Sequence, residues 1–509
     1  MTERFIAAFD ALKASGLSDP ETWRPIYRDG LKEAFQEGQL DAAAELAVFA
    51  AGCLEAQGYY DDALAELDYS LSQTKGAADV TANLLGTMAA LRAIRGERLA
   101  FDTIAAATAL RPMLSSLNAT YEVDIHAALV ECVFLRPGSV EAARAAADQA
   151  QAAGSPRYAR GLDIWAVPAM VAFGQRRRAV PWVNSLAAHA EAEGSSFRAA
   201  DAAALEFGLR SVDELAALDP APFERARRNN MAAWRAQVTA LHNAVRLADA
   251  EAAAGAVARL EDLSQRLNPG HADGLAALGE AARVGAEDVV EHLEPPAEAT
   301  LVNLSAVLAA MEVVATRGVQ EQAVLWARWA ADHLPAHVRT SIEWPASRDR
   351  VQALLLVRIG NERVGAAMME RATRWARSAG YPLEAALCEV QLSELLALGP
   401  TATPERRWSS MRRGARAVLR AAGILPDPYA LATTAALAWG RAAEAEPKLS
   451  PREVEVLGLL AEGLTYKQVA ARLGIEWRTV QVHARRVYEK LGVSGKMRAA
   501  RRASELGII

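Results

Sequence analysis

Three helix-start signals placed close together near the carboxyl end constrain this 509-residue chain more tightly than any other feature. Ser450-Pro451-Arg452-Glu453 has the make-up of a capping box. The serine oxygen is placed to accept an orphan helix N–H, the glutamate to reach back, and the proline to stand where no N–H is needed. Leu449 and Val454 flank it at hydrophobic-staple spacing. Thr465-Tyr466-Lys467-Gln468 repeats the arrangement between Leu464 and Val469, and Ile475 and Val480 bracket a third start after Gly474. Such starts predict three short helices, with a helix-turn-helix over about 465–484, in the pattern of a DNA-reading module.

Periodicity indicates which helix reads. At about 100° per residue, Val480, Ala484, Val487 and Leu491 fall on one side of the third helix as its buried stripe. The opposite side carries Arg478, Val482, Arg485 and Glu489, with Gln481 and Arg486 at its margins. A helix apolar toward its domain and mostly basic outward suits the major groove. Phosphate would repel Glu489, which is expected beyond the groove. The competing reading, a solvated helix on an ordinary bundle, does not account for three matching starts.

The segment resembles the LuxR-type (GerE-like) DNA-binding domain. The match is carried by Leu449-Ser-Pro-Arg-Glu453, Glu455-Val-Leu457, Ala461-Glu-Gly463, Val469-Ala470, Leu473-Gly-Ile475, Thr479-Val480, His483 and Lys490-Leu-Gly-Val493, about an eighth of the chain. The resemblance implies a four-helix domain that binds double-stranded DNA as a homodimer reading a pseudo-palindrome. Its third helix would enter the major groove, and its fourth (here about 496–506) would add to the dimer contact. Arg478, Gln481, Val482 and Arg485 are expected at base edges, and Arg452, Thr465, Lys467, Arg486 and Lys490 on phosphates. Tyr466, Thr479 and Lys496 complete the candidate DNA-binding set. Three positions depart from the family: Tyr466 stands for Asn, Glu476 for the Ser that caps the third helix, and Gln481 for Lys. Glutamate caps less well than serine, and Gln481 exchanges a charge for a side chain able to pair bidentately with adenine.

Charge divides the chain in the same place. Residues 448–509 hold 12 lysines and arginines against 6 glutamates, a net of +6. Residues 1–447 hold 44 basic against 56 acidic residues, a net of −12. An acidic body repels DNA and leaves phosphate contact to the terminal module.

Residues 1–400 are rich in alanine, leucine and glutamate at helical spacing, with few β-branched runs of strand length. The expected class is therefore all-α throughout. Ala51-Gly52, Gly58-Tyr59-Tyr60, Ala63-Leu64, Leu67 and Ser70 resemble a tetratricopeptide repeat. A glycine followed five residues later by a small residue recurs at Gly58/Ala63, Gly174/Ala179, Gly318/Ala323 and Gly360/Gly365. The expected architecture is an α-solenoid of tetratricopeptide-like helix pairs over 1–400, a basic helical segment and linker over 401–447, and the reader over 448–509. An irregular helical array is the alternative for the body. Helix breaks are expected near Asp219-Pro220, Asn268-Pro269, Glu294-Pro295-Pro296 and Gly399-Pro400, and a hinge over Gly440–Pro447. Arg406, Arg407, Arg412, Arg413, Arg416 and Arg420 form a basic run, read as a solvated helix face in preference to an added phosphate contact.

Motifs for chemistry are missing. No G-x-x-x-x-G-K-[ST] loop occurs; the chain resembles the repeat-plus-reader part of the large MalT-type regulators without their ATPase. There is no receiver-like pattern, G-x-S-x-G, H-E-x-x-H or Cys/His cluster, so no catalytic residue, cofactor or metal is expected. Pro335 separates His333 from His337, which disfavours a metal pair on one helix. Trp326, Trp329 and Trp375 with Arg328 and Arg374 are candidates for an effector groove, against plain inter-helix packing. The three cysteines, Cys53, Cys132 and Cys388, are isolated, as for buried thiols in a reducing compartment. Charges in Met1-Thr-Glu-Arg-Phe-Ile and apolar stretches too short to span a bilayer, such as Ala299–Met311, place the protein in the cytoplasm with no membrane partner. The expectation is a DNA-binding transcription regulator, not an enzyme, whose body answers to a small-molecule, peptide or protein effector. The alternative is a scaffold whose terminal domain docks a protein.

Overall fold

The computed structural model describes residues 7–8, 20–56, 58–74, 76–152, 156–226, 229–267, 269–284, 286, 290–398, 405–445, 449–491, 495–505 and 508. It is all-helical: a single isolated bridge between Val290 and Gly318 is the only β pairing among the described residues. The chain divides into two compact units, 1–436 and 437–509.

In the first unit, local chemistry sets helix starts. Ser116, Ser195, Asn229 and Asp249 each accept the backbone N–H three residues on, as N-cap side chains do. Packing then follows chain order. Ala78–Ile94 lies against Leu99–Ala109 and Leu117–Val133, and Leu117–Val133 against Ser139–Ala152 and Pro156–Ala172. Pro156–Ala172 continues the pattern with Arg176–Glu193 and Ser196–Arg210.

The recurring glycine and small residue have a steric origin. Gly58, at φ +87°, turns the chain between Leu40–Ala56 and Tyr60–Gln73, where a Cβ would fall 1.9 Å from the Arg266 carbonyl oxygen. The small residue five positions on is buried in the following helix: Ala63, Ala179 and Ala323 are fully buried. At Gly365 a Cβ would meet Val357 at 2.5 Å and the Ala353 carbonyl oxygen at 2.9 Å.

Two long irregular segments interrupt the pairs. Residues 334–347 are mostly buried in the body: His337 Nε2 contacts the Leu135 carbonyl at 2.7 Å, and the Arg339 N–H donates to Ala172 at 2.6 Å. Residues 290–303 are tied down by Leu301 N–H to the Val133 carbonyl at 2.7 Å. The tryptophans hold this second segment. Trp326 Nε1 donates to Leu293 at 2.8 Å and Trp329 Nε1 to Pro296 at 2.7 Å. Both rings are buried, so they pack between segments and line no groove. His333 stacks on Trp329 at 5.7 Å, well removed in role from His337.

Charge also enters the interior. Glu312 accepts from Arg246 at 2.9 Å and Arg350 at 2.6 Å, and Arg350 reaches Glu384 at 2.6 Å. Arg350 is fully buried. Cys132 and Cys388 are buried, whereas Cys53 is only partly so.

The segment after 400 begins with the expected basic helix. Glu405–Ala421 packs on Pro382–Leu398 through Ala415 and Leu419, while Arg412 pairs with Glu394 at 2.8 Å and Arg416 with Asp427 at 2.7 Å. The run is thus one amphipathic helix with part of its charge neutralised; the Arg406 and Arg407 side chains lie outside the described residues. The expected hinge is helical as far as Ala445, within Asp427–Ala445, because Arg-Ala-Ala-Glu-Ala are strong helix formers. The breaks at Asn268 and Gly399-Pro400 also lie outside the described residues. No described helix is long and apolar enough to cross a membrane.

Candidate nucleic-acid interface

After the end of Asp427–Ala445 the second unit contains the helices Pro451–Ala461, Tyr466–Leu473, Trp477–Leu491 and Lys496–Glu505. Both predicted capping boxes form. The Ser450 hydroxyl accepts from Glu453 N–H while Glu453 Oε2 accepts from Ser450 N–H at 2.7 Å. Thr465 and Gln468 do the same one helix later, with Gln468 Oε1 at 2.9 Å from Thr465 N. Gly474 closes the second helix in the left-handed region, φ +65°. The third helix starts with the Glu476 carbonyl accepting Thr479 N–H at 3.0 Å and Val480 N–H at 3.2 Å.

Burial fixes the orientation of that helix. Val480, Ala484 and Val487 are fully buried; the Leu491 and Glu489 side chains lie outside the described residues. Val480 and Ala484 pack with Val456, Leu460, Val469 and Ala470, and Val487 with Leu457, Ala499 and Ala503. Two of the expected staples fall in one cluster, Leu464 with Val469 and Ile475 with Val480. Leu449 packs with Leu457 instead.

The opposite face points to solvent. Arg478, Thr479, Gln481, Arg485 and Arg486 are exposed, and Val482 is half exposed. Thr465 and Lys467 are exposed at the start of the second helix. These residues share the surface around the helix-turn-helix. Arg452, Tyr466, Lys490 and Lys496 have partners within the domain. Arg452 pairs with Glu455 at 2.7 Å and donates to the Leu473 carbonyl at 3.1 Å. Tyr466 packs in the core, its hydroxyl 3.3 Å from that of Tyr488. Lys490 Nζ lies 2.6 Å from Glu453 Oε2, and Lys496 Nζ donates to the Leu464 carbonyl at 3.0 Å.

One residue that the periodicity passed over is Trp477, 45% exposed in the first turn of the third helix with the Arg478 guanidinium 5.7 Å above its ring. A tryptophan beside an arginine in the first turn of an amphipathic helix was the available signal. Glu453 carries three tasks, cap, ion pair and packing. Burial alone would raise its pKa, but the hydrogen bonds from Lys490 and Ser450 outweigh that and hold it below the ordinary glutamate value.

Residues 447–503 match the family of bacterial regulatory proteins of the luxR type. A Mycobacterium bovis relative named as an HTH-type transcriptional regulator is 39% identical over 87 residues, 15% of this chain and 10% of that protein. The transcriptional regulatory protein UhpA of Escherichia coli is 46% identical over 54 residues, 11% of this chain and 28% of its own. The Mycobacterium tuberculosis protein named as a probable transcriptional regulatory protein, NarL, is 46% identical over 63 residues, 12% of this chain and 29% of its own. The chain thus spans less than a third of the length of each of these relatives.

Proposed function

We propose, from the LuxR-family helix-turn-helix domain at the C-terminus, that this chain is a sequence-specific DNA-binding transcription regulator working in the cytoplasm. The observation that supports it most is the third helix, with valines and alanine inward and Arg478, Gln481, Val482, Arg485 and Arg486 outward. Laid in a major groove, Arg478 and Arg485 suit guanine O6/N7, Gln481 suits adenine and Val482 suits a thymine methyl. Thr465, Lys467 and Arg486 meet phosphates, and Thr479 stands beside them. Arg452, Lys490 and Lys496 stay with their internal acceptors and contribute positive charge at the surface, and Tyr466 supports the second helix from below. Two copies read a pseudo-palindrome.

The body is a tetratricopeptide-like α-solenoid that receives an effector. Neighbour-on-neighbour packing of successive helices and the buried small residue after each turn glycine favour this reading. No ATP-driven step is assigned, since the sequence has no phosphate-cradling loop.

The test is a fluorescence-anisotropy titration of the full-length chain on a duplex selected from a random library, repeated across salt concentrations. Log affinity should fall steeply and linearly with log salt, and the selected duplex should bind at least a thousandfold more tightly than random DNA. A flat salt response overturns the reading and favours a scaffold that docks a protein.

A further inference from the structure

A cavity of about 320 Å³, within the size range of small-molecule sites, opens inside the body. Its walls come from Asn230–Leu247, Leu304–Arg317, Arg348–Arg358 and Pro382–Leu398, and from the first turns of Asp427–Ala445. Depth can be read from burial. Trp344, Arg350, Leu354 and Gln391 are all but inaccessible, while Arg283, Leu425 and Pro428 are exposed at the rim. Most of the wall is aliphatic, closed by the rings of Trp344 and Tyr429.

The polar groups are unevenly signed. Four arginines (246, 283, 317 and 350) line the cavity against one carboxylate, Glu312, among the described residues. Glu312 is already engaged by Arg246, by Arg350 and by the Trp344 indole N–H at 3.3 Å. It therefore offers little to a cation. Behind the lining, Glu384 pairs with Arg350, and Glu280 with Arg283 and Arg317. Arg246 Nη1 also donates to the Tyr429 hydroxyl at 3.0 Å. Gln391 uses its carbonyl oxygen on Arg350 at 3.3 Å, so its amide N–H groups are what it has left to give. The site is thus rich in donors, short of acceptors and apolar in its walls.

We propose that this cavity is the effector site and takes a small amphipathic anion, an apolar chain or ring ending in a carboxylate or phosphate. The apolar part lies on the aliphatic wall and the two rings, and the anionic end accepts from guanidinium and amide N–H groups. Tyr429, Pro428 and Ala432 belong to the last helix before the reader in the chain, so an occupant touches the segment that leads to the output domain. The inference rests on reading the body as the input half of a regulator.

Calorimetric titration of the full-length protein with octanoate, octyl phosphate, octanol and octylamine tests it, with DNA binding measured in parallel. One or both anions should bind at least tenfold more tightly than octanol and octylamine, and the stronger anion identifies the head group. Ala432→Trp, at a half-buried wall position, should weaken the preferred anion at least tenfold. Arg246→Gln should do so too, but it strips Glu312 of a partner, and Ala432→Trp keeps the test independent of that damage. Equal binding of all four probes, binding of none at millimolar concentration, or wild-type anion binding by Ala432→Trp overturns the site. If DNA binding is intact while the anions fail, only this inference falls. If anions bind while DNA does not, the regulator reading falls and the site stands.

Discussion

At the scale of single residues, the proposed function assigns base reading to the exposed face of the third helix and phosphate attraction to Lys467 on the second. Arg485→Ala should cost about 1–3 kcal/mol on the selected duplex and relax base preference at one position. Lys467→Ala should weaken selected and random duplexes alike and reduce the salt slope by about 1. Anisotropy on both duplexes checks the pair; identical behaviour of the two variants would refute the division of roles. The same residues show where periodicity stops informing. A 100° wheel places Val480, Ala484 and Val487 inward because the period is a local property of the backbone. It cannot place Lys490 on Glu453, 37 residues away, or Lys496 on Leu464. Those are choices of the folded domain, and they draw two lysines out of an apparently uniform basic surface.

At the scale of the element, the two capping boxes were legible because each partner sits within three residues of the other. Ser450→Ala should therefore destabilise the reader by about 1 kcal/mol, seen as a lower melting transition of that domain. Gly365 offers a contest of effects. Alanine is better than glycine in a helix by about 1 kcal/mol, but its Cβ would stand 2.5 Å from Val357 and 2.9 Å from the Ala353 carbonyl oxygen. Overpacking of this kind costs roughly 1–3 kcal/mol, so Gly365→Ala should be net destabilising; a raised melting temperature would show that the helices can part at little cost. The expected hinge at 440–447 marks the opposite case. Its terminal proline suggested a break, yet Arg441–Ala445 continue the helix, since a proline restricts the residue before it and leaves earlier turns alone.

At the scale of the whole molecule, the two units rest on different physics. The terminal domain is a small apolar core with local caps and one buried carboxylate, Glu453, whereas the body encloses a network of several charges. Burial would raise the Glu312 pKa, but the Arg246 and Arg350 guanidiniums overcome it and hold the carboxyl well below the usual range. Its stabilising contribution is complete above the unfolded glutamate pKa of about 4.3 and is lost as pH falls below it. Glu312→Gln leaves two buried guanidiniums facing a neutral amide and should cost roughly 3–5 kcal/mol, with a flatter acid limb of the body's melting temperature against pH. An unchanged profile would mean that the network is electrostatically idle.

All-helical class, the three helix starts of the reader and the inward stripe of its third helix were readable without coordinates, because each depends on residues a turn or two apart. The irregular 334–347 and 290–303 segments, the role of Trp326 and Trp329 as clasps, and the charged cavity were not. They join groups separated by dozens of residues, and the cavity alone draws on more than four helices. Only the balance of desolvation against pairing in the packed body decides which charges go inside.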